Sequence, residues 1–207
     1  MITFVTKDDT QKSADIIKKG GLVAVPTETV YGLSANGLDE KAVRDIYEVK
    51  GRPECKPISL LVSGMAQAEM FCRDIPEDAY ALAEKLWPGP LTMIFKRKEN
   101  VPDIVTAGGD TVGVRCPDHK ATLDIIEKAG VPLATPSANI SGMKSPKTAE
   151  DVLSYFDGKI PCVFDGGECE IGTESTVLDM TSKPYKILRQ GSAPSELISR
   201  ILGKEVV

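Results

Sequence analysis

Lys50, Arg52 and Lys56 fall within the eight-residue stretch Lys50-Gly-Arg-Pro-Glu-Cys-Lys-Pro57, where they end one helical pattern and enter a loop. Cations at a helix C-terminus can simply answer the macrodipole. Here Pro53 and Pro57 stiffen the loop, which limits the entropy lost when its cations close on an anion. A planar Arg52 guanidinium suits phosphate oxygens, with the lysines acting as compact charges. A second polar signature, Thr135-Pro-Ser-Ala-Asn-Ile-Ser141, follows an apolar strand pattern. Ser137 and Asn139 are two residues apart and would face one side of an extended stretch. Ser145 beside Pro146 extends the same polar lip. A third, Pro26-Thr-Glu-Thr-Val-Tyr-Gly32, offers Thr27 or Thr29 as a hydrogen-bonding group and Tyr31 as a pocket wall. Arg115, at the end of a strand in Gly113-Val-Arg-Cys-Pro117, is placed to grip a carboxylate. Gly172-Thr-Glu-Ser-Thr176 and Arg189 add hydroxyls and one more isolated cation. Together these segments read as a site for a phosphorylated ligand.

Other chemistries lack their residues. The sequence has no Gly-x-x-x-x-Gly-Lys-Ser/Thr loop, no Gly-x-Gly-x-x-Gly fingerprint and no Gly-x-Ser-x-Gly elbow. Its one histidine, His119, stands beside a helix start and is assigned no role. Five scattered cysteines without a Cys-x-x-Cys pair argue against a disulfide framework or a zinc site and fit a reducing cytoplasm. An enzyme built from this set works by positioning and electrostatics rather than with an acid–base dyad.

The elements that must position these residues alternate short apolar strands with helices. The 207 residues suit a single domain over 1–207, with 42% hydrophobic content and a net charge of −5. No stretch approaches the roughly 20 apolar residues that cross a bilayer, so no membrane partner is expected, and the N-terminus lacks a signal-peptide pattern. The acidic balance disfavours tight nonspecific nucleic-acid binding; Lys96-Arg-Lys98 reads as the capped end of a strand rather than a basic stripe. Strands are expected at 2–5, 22–25, 58–62, 91–95, 112–115, 132–134, 162–164, 177–179 and 185–188. Helices are expected from Asp8 or Asp9 to Gly20, from Asp39 through Tyr47, and near 66–72, 77–86, 122–129, 148–155 and 194–202. The late strands have little helix between them, which predicts a mixed parallel and antiparallel sheet within an α/β fold.

In this order, Val25–Leu33, Lys50-Gly-Arg52 with Lys56-Pro57, Gly113-Val-Arg115, Pro136-Ser-Ala-Asn-Ile-Ser-Gly142 and Ser175-Thr-Val177 resemble the YrdC/TsaC family, from about Asp8 to Gln190. The resemblance implies a twisted mixed sheet flanked by helices with a large concave site. It implies a nucleotidyltransferase, a threonylcarbamoyl-AMP synthase. L-threonine, bicarbonate (or CO2) and ATP would give L-threonylcarbamoyladenylate and pyrophosphate, for the threonylcarbamoyladenosine modification of tRNA. Residue by residue it implies ATP contacts from Lys50, Arg52, Lys56, Thr111, Ser137, Asn139, Ser145 and Arg189, with Lys50 and Arg52 at the chemistry. Thr27, Tyr31, Arg115, Thr135 and Ser175 form the threonine set. Mg2+ would arrive with ATP, held mainly by the phosphates, with no protein metal site. Downstream tRNA threonylcarbamoyl-transfer proteins are the implied partners, with weak tRNA binding besides.

Some members of that family continue into a linker and second domain, whereas this sequence stops at Val207. A cover for the site would then come from the Lys50–Pro57 loop, the chain's tail or a partner. Two rivals compete with the synthase: a tRNA-binding module without catalysis, and a carbamoyl-adenylate enzyme of the hydrogenase-maturation type.

Overall fold

The computed structural model describes residues 2–207. Strand β1 (Phe4–Thr6) leads into helix α1 (Thr10–Lys18), whose N-cap Asp9 accepts the backbone N–H of Lys12. That cap satisfies one of the donors a helix start leaves unpaired. β2 (Val23–Val25) and β3 (Gly32–Asn36) then run antiparallel, joined by the Thr27–Tyr31 turn. α2 (Glu40–Lys50) is capped by Asp39 and stopped by Gly51 in the left-handed region, at φ 58°. Glycine is favoured there because it has no Cβ to clash. β4 (Leu60–Leu61), α3 (Met65–Ala68), β5 (Cys72–Arg73) and α4 (Glu77–Leu86) follow.

The centre of the chain supplies the long pair β6 (Leu91–Arg97) and β7 (Thr111–Arg115), antiparallel, with short α5 (Asp103–Thr106) between them. α6 (Lys120–Ala129), β8 (Leu133–Ala134), α7 (Ala149–Phe156), β9 (Cys162–Phe164), β10 (Thr176–Asp179), β11 (Lys186–Arg189) and α8 (Ser195–Leu202) complete the order. Thr148 and Asp151 form a reciprocal capping box at the start of α7.

The sheet runs β1-β9-β2-β3-β8-β4-β7-β6-β10-β11, with β5 paired to β6 at the side. β1, β2, β4 and β6 each have a parallel partner, while β3, β8 and β11 pair only antiparallel. The expected mixed α/β sheet is therefore present. Two apolar clusters hold it. The smaller packs Ile17 of α1 and Ile125 and Ile126 of α6 on Val23, Val25 and Leu133. The larger takes Leu82 of α4, Val43 and Ile46 of α2, and Leu91, Met93 and Phe95 of β6. Each such side chain taken fully out of water contributes about 1.5–3 kcal/mol.

Three local expectations are corrected. Gly32–Asn36, where no strand was expected, is a strand within the sheet between β2 and β8. The helix expected near 66–72 ends at Ala68, because Cys72 and Arg73 pair with Arg97 and Lys96 instead. α5 was not expected. Lys96, Arg97 and Lys98 are each engaged locally, on Asp110, on Asp103 and on Glu69 O, and form no free basic stripe.

Candidate active site

Side chains alternate faces along a strand, and that period shapes the site. Thr92 and Ile94 of β6, Thr111, Gly113 and Arg115 of β7, and Ser175 and Val177 at β10 line one cavity of about 410 Å³. Their neighbours Leu91, Met93, Val112, Val114 and Leu178 point the other way and are buried in the larger core. The cavity is thus the second face of the central sheet, closed by the Thr27–Tyr31 turn, by Thr135 and Ser137 after β8, and by Arg52 and Pro57. Gly113 keeps the floor open: a Cβ there would stand 2.8 Å from Ser59 Oγ and 3.2 Å from Thr92 Cγ2.

At one end Arg115 is 7% exposed. Its Nη2 lies 2.8 Å from Glu28 Oε1 and donates to Thr29 Oγ1 at 2.9 Å, and its Nε donates to Gly89 O at 3.2 Å. Glu28 is itself 7% exposed, and its Oε2 accepts the Asp118 N–H at 3.0 Å. Glu28 Oε1 is off the hydrogen-bonding direction of the guanidinium, so the pair is Coulombic on that oxygen. Among the described residues nothing accepts from Arg115 Nη1, leaving one donor edge for a ligand. Thr27 Oγ1 meets Thr29 Oγ1 at 2.9 Å and donates to Val30 O at 2.7 Å, which folds the turn on itself. Both threonines line the cavity.

The other end is looser. Arg52 donates to Lys56 O and Pro57 O, bracing its own loop, while the Tyr47 hydroxyl ties Lys56 O to α5 through Ile104 O. Arg189 donates to Ser175 O and pairs through Nη1 with Glu174 at 2.5 Å; Ser145 donates to the other Glu174 oxygen at 2.9 Å. Their side chains keep 46% and 36% of their surface exposed, so an incoming anion can exchange with this carboxylate.

Of the residues singled out from sequence, Arg52, Thr111, Ser137, Arg189, Thr27, Tyr31, Arg115, Thr135 and Ser175 line the cavity. Lys50, Lys56, Asn139 and Ser145 do not. Lys50 stands furthest from the open surface. It is 1% exposed, and its ammonium donates to the carbonyls of Ser137 and Asn139, so it fastens α2 to the Ser137 turn. Burial, with repulsion from Arg52 second, lowers its pKa from 10.5 to about 7. A neutral amine still carries two N–H donors, so the fastening survives deprotonation. Lys56 is exposed. Asn139 is buried and its Nδ2 donates to Ile140 O and Met143 O, shaping the turn. Ser145 reaches the site only through Glu174.

Tyr31 offers no free hydroxyl. Its OH donates to Gly167 O and accepts from Gly166 N, and burial pushes the phenol well above its ordinary range. His119 lies outside the cavity, half-buried against Gly166, where burial lowers its pKa. Sequence reasoning missed Glu28, Ser59, Thr92, Ile94, Gly113 and Glu174. Thr92 on β6 and the alternation Thr111/Gly113/Arg115 on β7 carry a signal for the face, because small and polar residues interrupt strands rich in Val, Leu, Met and Phe; Ile94 carries none.

Residues 15–191 match the model of the Sua5/YciO/YrdC family, described as telomere recombination. The chain belongs to that family. It is 50% identical over 192 residues to a threonylcarbamoyl-AMP synthase of Pyrococcus abyssi, covering 93% of this chain and 56% of that one. A putative threonylcarbamoyl-AMP synthase of Methanocaldococcus jannaschii is 36% identical over 200 residues, covering 95% and 94%. The fold superposes on the crystal structure of P. abyssi Sua5 complexed with L-threonine with a TM-score of 0.96 at 45% identity, over 100% of this chain and 63% of that one. The chain therefore spans a little over half the length of its P. abyssi relative. The cavity walls of this member come from the sheet face and from the loops that carry Thr27, Arg52, Ser137 and Glu174.

Proposed function

We propose that this protein, acting as a single YrdC-like domain, is a threonylcarbamoyl-AMP synthase that joins L-threonine, bicarbonate-derived carbon and ATP. The observation that carries this reading is one continuous cavity with a buried arginine at one end and exchangeable arginines at the other. Such a space can hold an amino acid carboxylate and a nucleotide phosphate facing each other. The name and bound L-threonine of the P. abyssi relatives point the same way.

In this reading Arg115 Nη1 takes the threonine carboxylate, with Thr27, Thr29, Thr135 and Ser175 around its hydroxyl and amine. Arg52 and Arg189 take phosphate oxygens, and Ser137 and Thr111 offer hydroxyls to the nucleotide. The threonine amine forms an N–C bond to CO2 and loses a proton, giving a carbamate. A carbamate oxygen then bonds to the α-phosphorus as the α–β bridging bond breaks, its electron pair leaving with pyrophosphate. Positioning two anions in line and offsetting their charge supplies the catalysis. Lys50 contributes by holding the Ser137 turn.

Among the described residues no group of three His, Cys, Asp or Glu is placed to hold a metal, and Glu174 is the one carboxylate in the cavity wall. Mg2+ would then be carried in mainly by the phosphates, Glu174 would be the one cavity carboxylate able to hold it, and the ion would supply charge to offset the leaving pyrophosphate. Among the described residues no helix is long and apolar enough to cross a membrane, and the cytoplasm, where tRNA and ATP meet, is the proposed location. The product would pass to tRNA threonylcarbamoyl-transfer proteins.

Pyrophosphate release from ATP and bicarbonate, with and without L-threonine and with serine as control, tests the reading. Threonine-dependent release is expected. Release indifferent to threonine, or none, sinks it; tRNA binding that falls steeply with salt would then favour the RNA-binding alternative.

A further inference from the structure

The carboxylate of Glu28 lies at the back of Arg115 without lining the cavity. It is held by three independent features. Its Oε2 accepts the Asp118 N–H, its backbone carbonyl accepts the Ile171 N–H at 2.9 Å, and the next residue's carbonyl accepts the Gly172 N–H at 2.8 Å. The acid is therefore fixed by the strand-end turn, by the segment after β7 and by the loop before β10. Arg115 in turn is fixed on its inner edge by Glu28, Thr29 and Gly89 O.

We infer that Glu28 is the positioning residue of the amino acid end: it locks the Arg115 guanidinium before any ligand arrives, so that Nη1 alone faces the cavity. This inference rests on the threonine reading above. A buried guanidinium without a partner would be expelled toward water, and a carboxylate ligand would then have to draw it back at the cost of its own affinity. With Glu28 in place the cavity meets a neutral pair whose exposed edge is pre-aimed. The ligand carboxylate adds the second anion that the five N–H donors of an arginine can still serve.

Glu28→Gln retains the shape and an acceptor for the Asp118 N–H but can turn an amide N–H₂ toward the guanidinium. The expected result is a Kd for L-threonine raised about tenfold, with the Kd for ATP changed less than about twofold. In turnover, KM for threonine rises more than kcat falls. Glu28→Asp, which keeps the charge, recovers part of the loss. A merely structural role would weaken both ligands together.

Should Glu28→Gln fail to fold, the ligand-free wild type decides. The Arg115 Nη2 protons, which face Glu28, are expected to exchange slowly with water, to shift on adding threonine and to stay in place on adding ATP. Exchange at the rate of free arginine overturns the inference, as does a folded Glu28→Gln that binds threonine as the wild type does. If the wild type itself binds no threonine, the functional reading falls and this inference with it.

Discussion

The two ends of the cavity are built on opposite plans. Arg115 is buried and wired to Glu28, Thr29 and Gly89 before any ligand is present. Arg189 is half-exposed and shares a carboxylate, Glu174, that itself lines the cavity. A preorganised end loses little entropy on binding and discriminates by shape, whereas an exchangeable end tolerates a ligand that must change charge and leave. That division suits the proposed reaction, in which the amino acid is retained in the product and pyrophosphate departs.

Substitutions can break this contrast. The largest effect is expected for Arg115→Lys, which keeps a charge but loses the fork. The specificity constant for threonine should fall about a hundredfold, with ATP binding preserved in a separate titration. Parallel loss of both ligands would show that the ends are not distinct. Arg52→Ala should lower turnover about thirtyfold and raise the KM for ATP, since it removes one phosphate donor from an end that has others. Unchanged ATP binding and rate would remove Arg52 from the mechanism.

Glu174→Gln sharpens the comparison with a gain. Metal-free ATP, measured with a chelator present, should bind about threefold tighter because no internal carboxylate competes for Arg189. With Mg2+ present the gain should vanish if, as proposed, Glu174 helps to hold the metal. An equal affinity without metal would mean that the Arg189–Glu174 pair does not oppose the nucleotide.

The smallest effect is a slope. Lys50 titrates near 7 when folded and near 10.5 when unfolded. Between these values the unfolded chain holds a proton that the folded chain has released, so this residue makes stability rise with pH across that window. Lys50→Met should flatten the rise relative to wild type in thermal melts from pH 7 to 10. Identical pH dependence of the two proteins would contradict the lowered value.

Caps made much of this fold readable. Asp9, Asp39 and Thr148 mark starts, and α1, α2 and α7 begin where these residues put them, while α2 runs past the expected Tyr47 to Lys50, where Gly51 stops it. β3 was hidden because Gly-Leu-Ser-Ala-Asn has no β-branched residue; its position between β2 and β8, rather than local propensity, makes it a strand. In the site, residue type marked the loops but not the direction of their side chains. Lys50 and Arg52 are two residues apart, yet one turns into the protein and the other along the cavity rim. The bonds from Lys50 to Ser137 O and Asn139 O span more than eighty residues of sequence, which no local pattern encodes. Glu28 was unreadable for the same reason, since its partner is Arg115.

Ser175 belongs to both ends at once. Its hydroxyl meets Thr92 Oγ1 at 2.8 Å on the sheet floor and accepts from Arg189 Nη2 at 3.2 Å at the proposed nucleotide end. A ligand that reorients this hydroxyl at one end alters the arginine at the other. In the proposed function the two substrates therefore need not bind independently, and whatever factor threonine lends to ATP, ATP must return to threonine. Order-of-addition kinetics would carry the signature of one shared hydroxyl.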